Sequence, residues 1–327
     1  MNTMPRNFSS LEINDEIDKS VSDIWIQIEF FLFLMGQIFA IPCYLFVMYH
    51  ILAHRTARRA LHNHVIIMIL LYCFLDLIID LSLTMSYSLS KSVPLFSPIL
   101  CLTWQFVDYG IWYGSISLML WASIERHILV FHTKLVRTSQ RRLLFHYIPL
   151  IFFSLYTPTL YFYLIFIYPC HMAYDDKTIR CGSLCYLKSA PIWFFYYDIL
   201  THYVVPVLLV AVFSAILILR FLKQRSRLKR ATKWRQCRKM IIQLGLVSIS
   251  YIVFDLPYII IVIVQSSGHP EFGHKILSPY ISHMVYVPAI IVPYAILLSL
   301  PRLKQKLRVL LFWKRTRRII SPMTIIQ

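Results

Sequence analysis

The chain has 327 residues, of which 58% are hydrophobic and 15% are charged, and its formal net charge is +18. A soluble globular domain carries more charge and fewer apolar residues, so the composition indicates an integral membrane protein. The basic excess does not indicate nucleic-acid binding, because the chain leaves no soluble domain to present a basic patch.

Seven apolar stretches are long enough to cross a bilayer, since a spanning helix needs about 20 mostly apolar residues. In chain order they are Ile24–Leu52, Val65–Leu89, Leu100–Phe131, Phe145–Tyr168, Ile192–Leu222, Met240–Gln265 and Ile276–Leu300. Their connections are short, so residues 24–300 form one membrane domain between an amino-terminal segment, residues 1–23, and a tail, residues 301–327. The predicted fold class is all-α, a seven-transmembrane helix bundle.

The amino-terminal segment, residues 1–23, is polar and acidic without an apolar core, so we expect no cleaved signal peptide. If this segment is extracellular, 26 of the 33 lysines and arginines face the cytosol, as the positive-inside rule requires. The Asn7-Phe8-Ser9 sequon then lies on the side where glycosylation occurs. We expect a multi-pass plasma-membrane protein with a cytoplasmic carboxy terminus and a basic inner surface that contacts anionic lipids.

Cysteine placement agrees with this topology. Of the seven cysteines, four fall on the predicted outer face: Cys101, Cys170, Cys181 and Cys185. The outer side is the oxidising compartment, so these four predict two disulfides, whose pairing the residues alone leave open.

The third span carries the most informative spacing, because Arg126 of Glu125-Arg126-His127 follows Cys101 by 25 residues. At about 1.5 Å per helical residue this separation is about 37 Å, which places the cysteine at one membrane face and the acid–arginine pair at the other. The third helix of rhodopsin-like G protein-coupled receptors is similar and ends in Glu/Asp-Arg-Tyr. The chain resembles that family from about Ile24 to Trp313.

Further motifs match the family in part. The prolines of the fifth, sixth and seventh spans are present as Pro206, Pro257 and Pro293. Where the family usually has a tyrosine in the third span, a tryptophan in the sixth, and an asparagine and a tyrosine in the seventh, this chain has His127, Asp255, Val292 and Ile296. After the seventh span, residues 301–310 are amphipathic and predict a helix lying along the inner membrane surface, as in the family.

The resemblance implies that Cys101 joins the second outer loop. We favour Cys101–Cys185 with Cys170–Cys181, and Cys101–Cys181 stays open as the alternative. In the second span Asp76 or Asp80 would be the family's buried sodium-site aspartate, and Ser115 fits the third-helix partner in that site.

Ionisable residues inside spans are costly in hydrocarbon and usually face the bundle interior. Asp108 lies two helical turns below Cys101, where amine receptors and some peptide receptors hold a cationic nitrogen, and Tyr286 fits the tyrosine that often lies beside that aspartate. With two further intramembrane acids and nearby aromatic residues, Asp108 predicts a site for a cationic ligand. The other predicted members of this site are Tyr109, Trp112, Asp198, His202, Asp255 and Tyr258. The alternative is that each aspartate only forms hydrogen bonds to neighbouring helices.

The resemblance implies a receptor for an extracellular amine or peptide that acts on a heterotrimeric G protein. Ligand binding would shift a two-state equilibrium, Arg126 would be released from Glu125, and the helices kinked at Pro206 and Pro257 would swing their inner ends. The sequence has no zinc spacing, phosphate-binding loop or catalytic signature, so we predict neither an enzyme nor a cofactor. The rival hypothesis is a transporter or channel that uses the intramembrane carboxylates.

Overall fold

The computed structural model describes residues 8–170, 173–224, 231–269, 271–273, 281 and 283–299. Seven long helices lie in these residues. Their bounds are α1 Phe8–Ala53, α2 Leu61–Ser90, α3 98–131, α4 Ser139–Ile167, α5 192–224, α6 Ala231–Ser266 and α7 Val287–Ser299. Asn7, the tail of residues 301–327 and part of the seventh predicted span lie outside the described residues.

The helices pack as one bundle around α3. Side chains along α3 from Tyr113 to Ala122 are almost all buried, whereas large apolar side chains on α1, α4 and α5 are exposed. In a membrane protein these exposed apolar side chains face lipid. Within the described residues five helices are long and apolar enough to cross a membrane, and the apolar segment Met284–Leu298 is shorter. The central helix α3 is not among them, because Ser, Gly, Tyr and Trp make up much of its middle.

Local sequence explains where α3 begins and how closely it packs. The Ser97 hydroxyl accepts a hydrogen bond from the Leu100 backbone N–H at 3.2 Å, and Pro98 takes a first-turn position where its missing N–H costs nothing. Farther along, Gly114 lets α2 and α4 approach α3. A Cβ at Gly114 would lie 2.5 Å from a ring carbon of Tyr72 and 3.0 Å from the Thr157 hydroxyl.

Among the seven helices as the structure describes them, four contain a wide π-helical turn. These turns are Asp76–Leu81 in α2, Val107–Ile111 in α3, Leu143–Tyr147 and Tyr163–Ile167 in α4, and Leu200–Val204 in α5. Such turns often occur at functional sites. Here four of the five hold a buried ionisable or imidazole side chain: Asp76 with Asp80, Asp108, His146, and His202.

The disulfides lie at the end of the bundle where α3 begins, which we call the outer end; the end near Arg126 is the inner end. Cys101 is bonded to Cys181, and Cys170 is bonded to Cys185, with Cα–Cα distances of 5.7 and 6.1 Å. The favoured pairing of Cys101 with Cys185 was therefore wrong, and the alternative that had stayed open is the one observed. Cys185 begins a short helix beside the end of α4, whereas Cys181 lies over the start of α3.

Candidate functional site

Arg180, a residue of the second outer loop, contacts Asp108. The Arg180 Nε atom lies 2.9 Å from Asp108 Oδ2, and the two side chains are 30% and 10% exposed. The contact is an ion pair without hydrogen-bond geometry, since the Arg180 Nε–H group has no acceptor among the described residues. Burial disfavours the charged form of Arg180, but the Asp108 carboxylate outweighs that effect and holds the pKa of Arg180 well above its ordinary value.

The loop backbone holds Arg180 in this position. Arg180 and Cys181 both have left-handed backbone conformations, with φ of 58° and 59°, and such conformations are unfavourable for residues with a Cβ. The Gln105 side-chain amide donates to the carbonyl oxygens of Arg180 and Gly182 at 2.9 and 3.3 Å. Together with the Cys101–Cys181 bond, these contacts fix the loop segment on the outer end of α3.

Two tyrosine side chains lie near this pair. Tyr109 and Tyr258 lie within electrostatic range of both Asp108 and Arg180. The Trp112 ring centroid is 5.0 Å from that of Tyr203, which in turn is 5.9 Å from that of Tyr258. The structure thus brings Tyr109 and Tyr258 close to Asp108 and connects Trp112 to Tyr258 through Tyr203.

Tyr286 contacts a different acid from the one expected. Its hydroxyl donates to Asp80 Oδ2 at 2.9 Å. The opposite oxygen, Asp80 Oδ1, accepts from Trp104 Nε1 at 2.7 Å and from the Thr84 hydroxyl at 3.3 Å. Asp80 is therefore satisfied by neutral donors from α2, α3 and the short turn Met284–Tyr286 before α7.

Asp198 and His202 belong to a closed hydrogen-bond network. Asp198 Oδ1 accepts from the Tyr161 hydroxyl and lies 2.8 Å from His202 Nδ1, and Oδ2 accepts from the Tyr186 hydroxyl at 3.1 Å. His202 Nε2 lies 3.1 Å from the Tyr156 hydroxyl. The network joins α4, α5 and the outer loop, and its acceptors are already occupied.

Asp255 and Asp76 have unpaired atoms. The Asp255 side chain is fully buried, and neither carboxylate oxygen has a partner among the described residues. Asp76 is also buried, with Oδ1 unpaired there. Ser115, the candidate partner in the sodium site, donates to the Trp112 carbonyl at 2.8 Å and lies 3.4 Å from the Tyr251 hydroxyl. Buried polar groups without partners are uncommon, so the two acids call for a ligand, an ion or a proton.

At the inner end, the sequence predicted a contact between Glu125 and Arg126, and the structure does not contain it. Glu125 Oε1 instead accepts from His146 Nδ1 at 2.5 Å, and both side chains are almost completely buried. Arg126 is 2% exposed, and its Nε and Nη1 atoms have no partner in the described part of the chain. The guanidinium borders a cavity lined by Ile66, Ile69, Met119, Ala122, Val247, Val292 and Ile296.

A second imidazole extends this contact. His64 Nδ1 lies 3.0 Å from His146 Nε2, and His64 Nε2 lies 2.9 Å from the Arg58 carbonyl oxygen. The Arg58 carbonyl oxygen can only accept, so completing all three bonds requires three protons shared among Glu125 and the two imidazoles.

Direct contacts also close the inner half of the bundle. His127, at the position of the usual tyrosine, donates from Nε2 to the Phe213 carbonyl of α5 at 2.8 Å. The Ser214 hydroxyl of α5 donates to Ser248 of α6 at 2.8 Å. These two contacts hold the inner halves of α3, α5 and α6 together.

The prolines expected to kink the helices lie at two kinds of position. Pro257 and Pro293 are inside α6 and α7. Pro206 is the second residue after the wide turn of α5. A proline removes one backbone donor, and a wide turn is one way for a helix to accommodate that loss.

Several residues of these sites were not predicted from the sequence: Thr84, Trp104, Gln105, His64, His146, Tyr161, Arg180 and Tyr186. Trp104 and Gln105 follow Cys101 within one helical turn, so their position beside the disulfide could have been found from spacing. Arg180 lies directly before Cys181, and that proximity became informative only once the pairing of Cys181 was known.

Seven helices, a disulfide from the third helix to the following outer loop, and a buried arginine at the inner end define a seven-helix membrane receptor. The chain matches the family model "7 transmembrane receptor (rhodopsin family)" over residues 45–294. It therefore belongs to the rhodopsin family of G protein-coupled receptors. This membership confirms the predicted family and fold class, and it identifies a multi-pass membrane receptor, not an enzyme.

Comparison with solved structures supports the same fold. Among 467 matching chains is the crystal structure of squid rhodopsin, with a TM-score of 0.65 and 16% sequence identity. The match covers 96% of this chain and 88% of that chain. No curated protein sequence matched significantly. At this low identity the likeness to squid rhodopsin establishes the fold alone, so the ligand has to be argued from the site itself.

Proposed function

We propose that this receptor binds a cationic extracellular ligand, an amine or a peptide, through Asp108 and passes the signal to a heterotrimeric G protein. The observation that carries the proposal is the 2.9 Å contact between Asp108 and a guanidinium group. A carboxylate that already pairs with one cationic nitrogen can pair with that of a ligand, and the acidic residues nearby favour positive charge.

Tyr109, Trp112 and Tyr258 would complete this site by presenting aromatic faces to the cation. Asp255 is the second candidate contact, because its unpaired carboxylate would be satisfied by a basic group that reaches deeper. For the other predicted contacts, the observed hydrogen bonds favour structural roles. Asp198 and His202 act as a structural network, Tyr286 orients Asp80, and Asp76 with Ser115 keeps the candidate role of a sodium site.

Signalling would follow a two-state mechanism in which the closed inner end opens. The α5–α6 contacts would break, the helices would swing about Pro206 and Pro257, and Arg126 would help to form the cleft for the G protein. Pro293 would allow α7 to adjust. Because Glu125 contacts His146 here, the release step would involve His146 as well as Arg126.

The proposed orientation puts the amino terminus and Asn7 outside and the carboxy terminus inside. The two disulfides at the outer end and the basic residues at the inner end support it. Epitope tags at the two termini test it. The amino-terminal tag should stain in intact cells and the carboxy-terminal tag only after permeabilisation, and surface staining of the latter would refute the orientation.

The ligand site is tested with a promiscuous G-protein reporter and a panel of amines and short basic peptides. For any agonist found, Asp108→Asn should reduce potency by about a hundredfold or more, because losing a partly buried charge pair costs several kcal/mol. Asp176→Asn removes a carboxylate from the exposed outer loop and serves as the matched control. Unchanged potency of Asp108→Asn at normal surface density would contradict the cation site.

A further inference from the structure

We propose that Arg180 is a built-in counterion that holds the receptor in its resting state, and that a cationic ligand activates the receptor by displacing the Arg180 guanidinium from Asp108. The proposal rests on the proposed function, because it concerns the same carboxylate. It adds an autoinhibitory role for the second outer loop. In this role the Arg180 side chain competes with the ligand for Asp108.

The Arg180 position is built by the fold. The loop is bonded to α3 through Cys101–Cys181 on one side of the contact, and Gln105 holds the carbonyl oxygens of Arg180 and Gly182. A left-handed backbone at an arginine persists only where the surrounding structure imposes it. The inward direction of this side chain is therefore a consequence of the loop anchors.

The opposite charges of Asp108 and Arg180 make this contact important for the balance between the two receptor states. Arg180 is the cationic partner of Asp108 at 2.9 Å, whereas the neighbouring Asp80 accepts hydrogen bonds from the neutral donors Trp104 and Tyr286. Without Arg180 a nearly buried carboxylate would lose its cationic partner, which is unfavourable. Because Arg180 is tethered, its effective concentration at Asp108 is high, and a free cation must compete with it.

The ion pair coexists with contacts between the inner halves of α3, α5 and α6. His127 is bonded to the Phe213 carbonyl and Ser214 to Ser248, while Arg126 is buried. An interaction present in one state and absent in the other shifts the equilibrium toward the state that contains it. We assign the Arg180–Asp108 pair to the resting state on this basis. The opposite assignment, in which Arg180 acts as a tethered activator, gives the opposite sign in the experiment below.

The first experiment measures ligand-independent nucleotide exchange on a panel of Gα subunits in membranes, normalised to receptor surface density. Arg180→Gln should raise basal exchange severalfold, and Arg180→Lys, which keeps the charge, should stay near the unmodified receptor. Lys177→Gln removes a positive charge from the same loop and should change nothing. Asp108→Asn should also raise basal exchange, and combining it with Arg180→Gln should add little, since both break one pair.

Lower basal exchange in Arg180→Gln would identify a tethered activator and overturn the proposal. Unchanged exchange at normal surface density would also overturn it, leaving the pair as a structural contact. Glu125→Gln is the positive comparator for activation. If neither the unmodified receptor nor Glu125→Gln activates any Gα subunit, the proposed function fails, and that result differs from a failure confined to Arg180.

The second experiment needs no G protein. Arg180→Ala should leave space at Asp108 for a free cation, so methylguanidinium in the millimolar range should raise the thermal midpoint of the purified variant. The midpoint of the unmodified receptor and of Arg180→Ala/Asp108→Asn should not respond. No stabilisation of Arg180→Ala, or equal stabilisation of all three proteins, would show that Arg180 does not occupy a cation site at Asp108.

Discussion

Replacing His146 with leucine should lower basal signalling, although it removes a contact from the motif that controls activation. His146 is the only side chain that pairs with Glu125 in the described residues, at 2.5 Å, and both side chains are buried. The neighbouring Arg126 has two side-chain nitrogen atoms, Nε and Nη1, without a partner among the described residues. Once His146 is gone, a rotamer change lets Arg126 pair with Glu125, restoring the acid–arginine contact that resembles the family's resting state.

The expected size follows from the burial of the pair. An uncompensated buried charge costs about 3–5 kcal/mol, and re-pairing with Arg126 recovers part of that cost only while Arg126 stays inside the bundle. A net bias of about 1–3 kcal/mol toward the resting state is typical of such coupling. Because about 1.4 kcal/mol corresponds to a factor of ten, basal exchange should fall by about fivefold or more.

Glu125→Gln should change basal exchange in the opposite direction. It removes the carboxylate that attracts Arg126 and leaves an amide that can still bond His146, so the arginine is freer to leave the bundle. The assay is ligand-independent nucleotide exchange normalised to surface density. His146→Gln, which keeps a donor, and His132→Leu, an exposed histidine at the same end, are the controls. If His146→Leu and Glu125→Gln both raise exchange, Arg126 is not the alternative partner and the reasoning fails.

Two further predictions concern folding. Cys101→Ser and Cys181→Ser should each sharply reduce surface expression. The double variant should be no worse than either, because all three lack the same bond. Finding Cys101 as a free thiol by mass spectrometry would contradict this. Gly114→Ala should destabilise the purified receptor by about 1–3 kcal/mol, since its Cβ would meet Tyr72, whose hydroxyl is bonded to the Ser154 carbonyl. A thermal midpoint equal to that of Gly245→Ala, where a Cβ would meet nothing closer than 4.0 Å, would refute it.

Apolar length predicted the bundle well, because the lipid interior imposes one simple requirement on every span. The second predicted span, Val65–Leu89, lies inside α2, Leu61–Ser90, and the fourth, Phe145–Tyr168, begins later than α4, Ser139–Ile167. The added residues are mostly polar or basic and extend the helices beyond the apolar segment. The first residues of α1 are likewise polar, so hydropathy did not indicate that this helix begins at Phe8.

The sites were harder to predict, because their contacts depend on loop paths and helix rotation. Asp108 and Arg126 could be placed from their distance to Cys101 along one helix. Arg180 could not, since its position depends on which cysteine the loop uses. His146 lies in a wide turn of α4, and such a turn changes which residues face the neighbouring helices without a recognisable signal in a single sequence.

This chain replaces several of the family's motif residues. A polar face of α6 offers another route by which a change at the outer end reaches the inner end. Asp255, Tyr251 and Ser248 are spaced four and three residues apart, so they lie on one face of α6. Tyr251 contacts the Ser115 hydroxyl of α3 at 3.4 Å, and Ser248 accepts from Ser214 of α5. This polar face lies along the part of α6 that would have to move for the inner end to open. A cation or proton gained by the unpaired Asp255 would act at the outer end of that face, and the hydroxyl contacts that resist the movement follow directly below it.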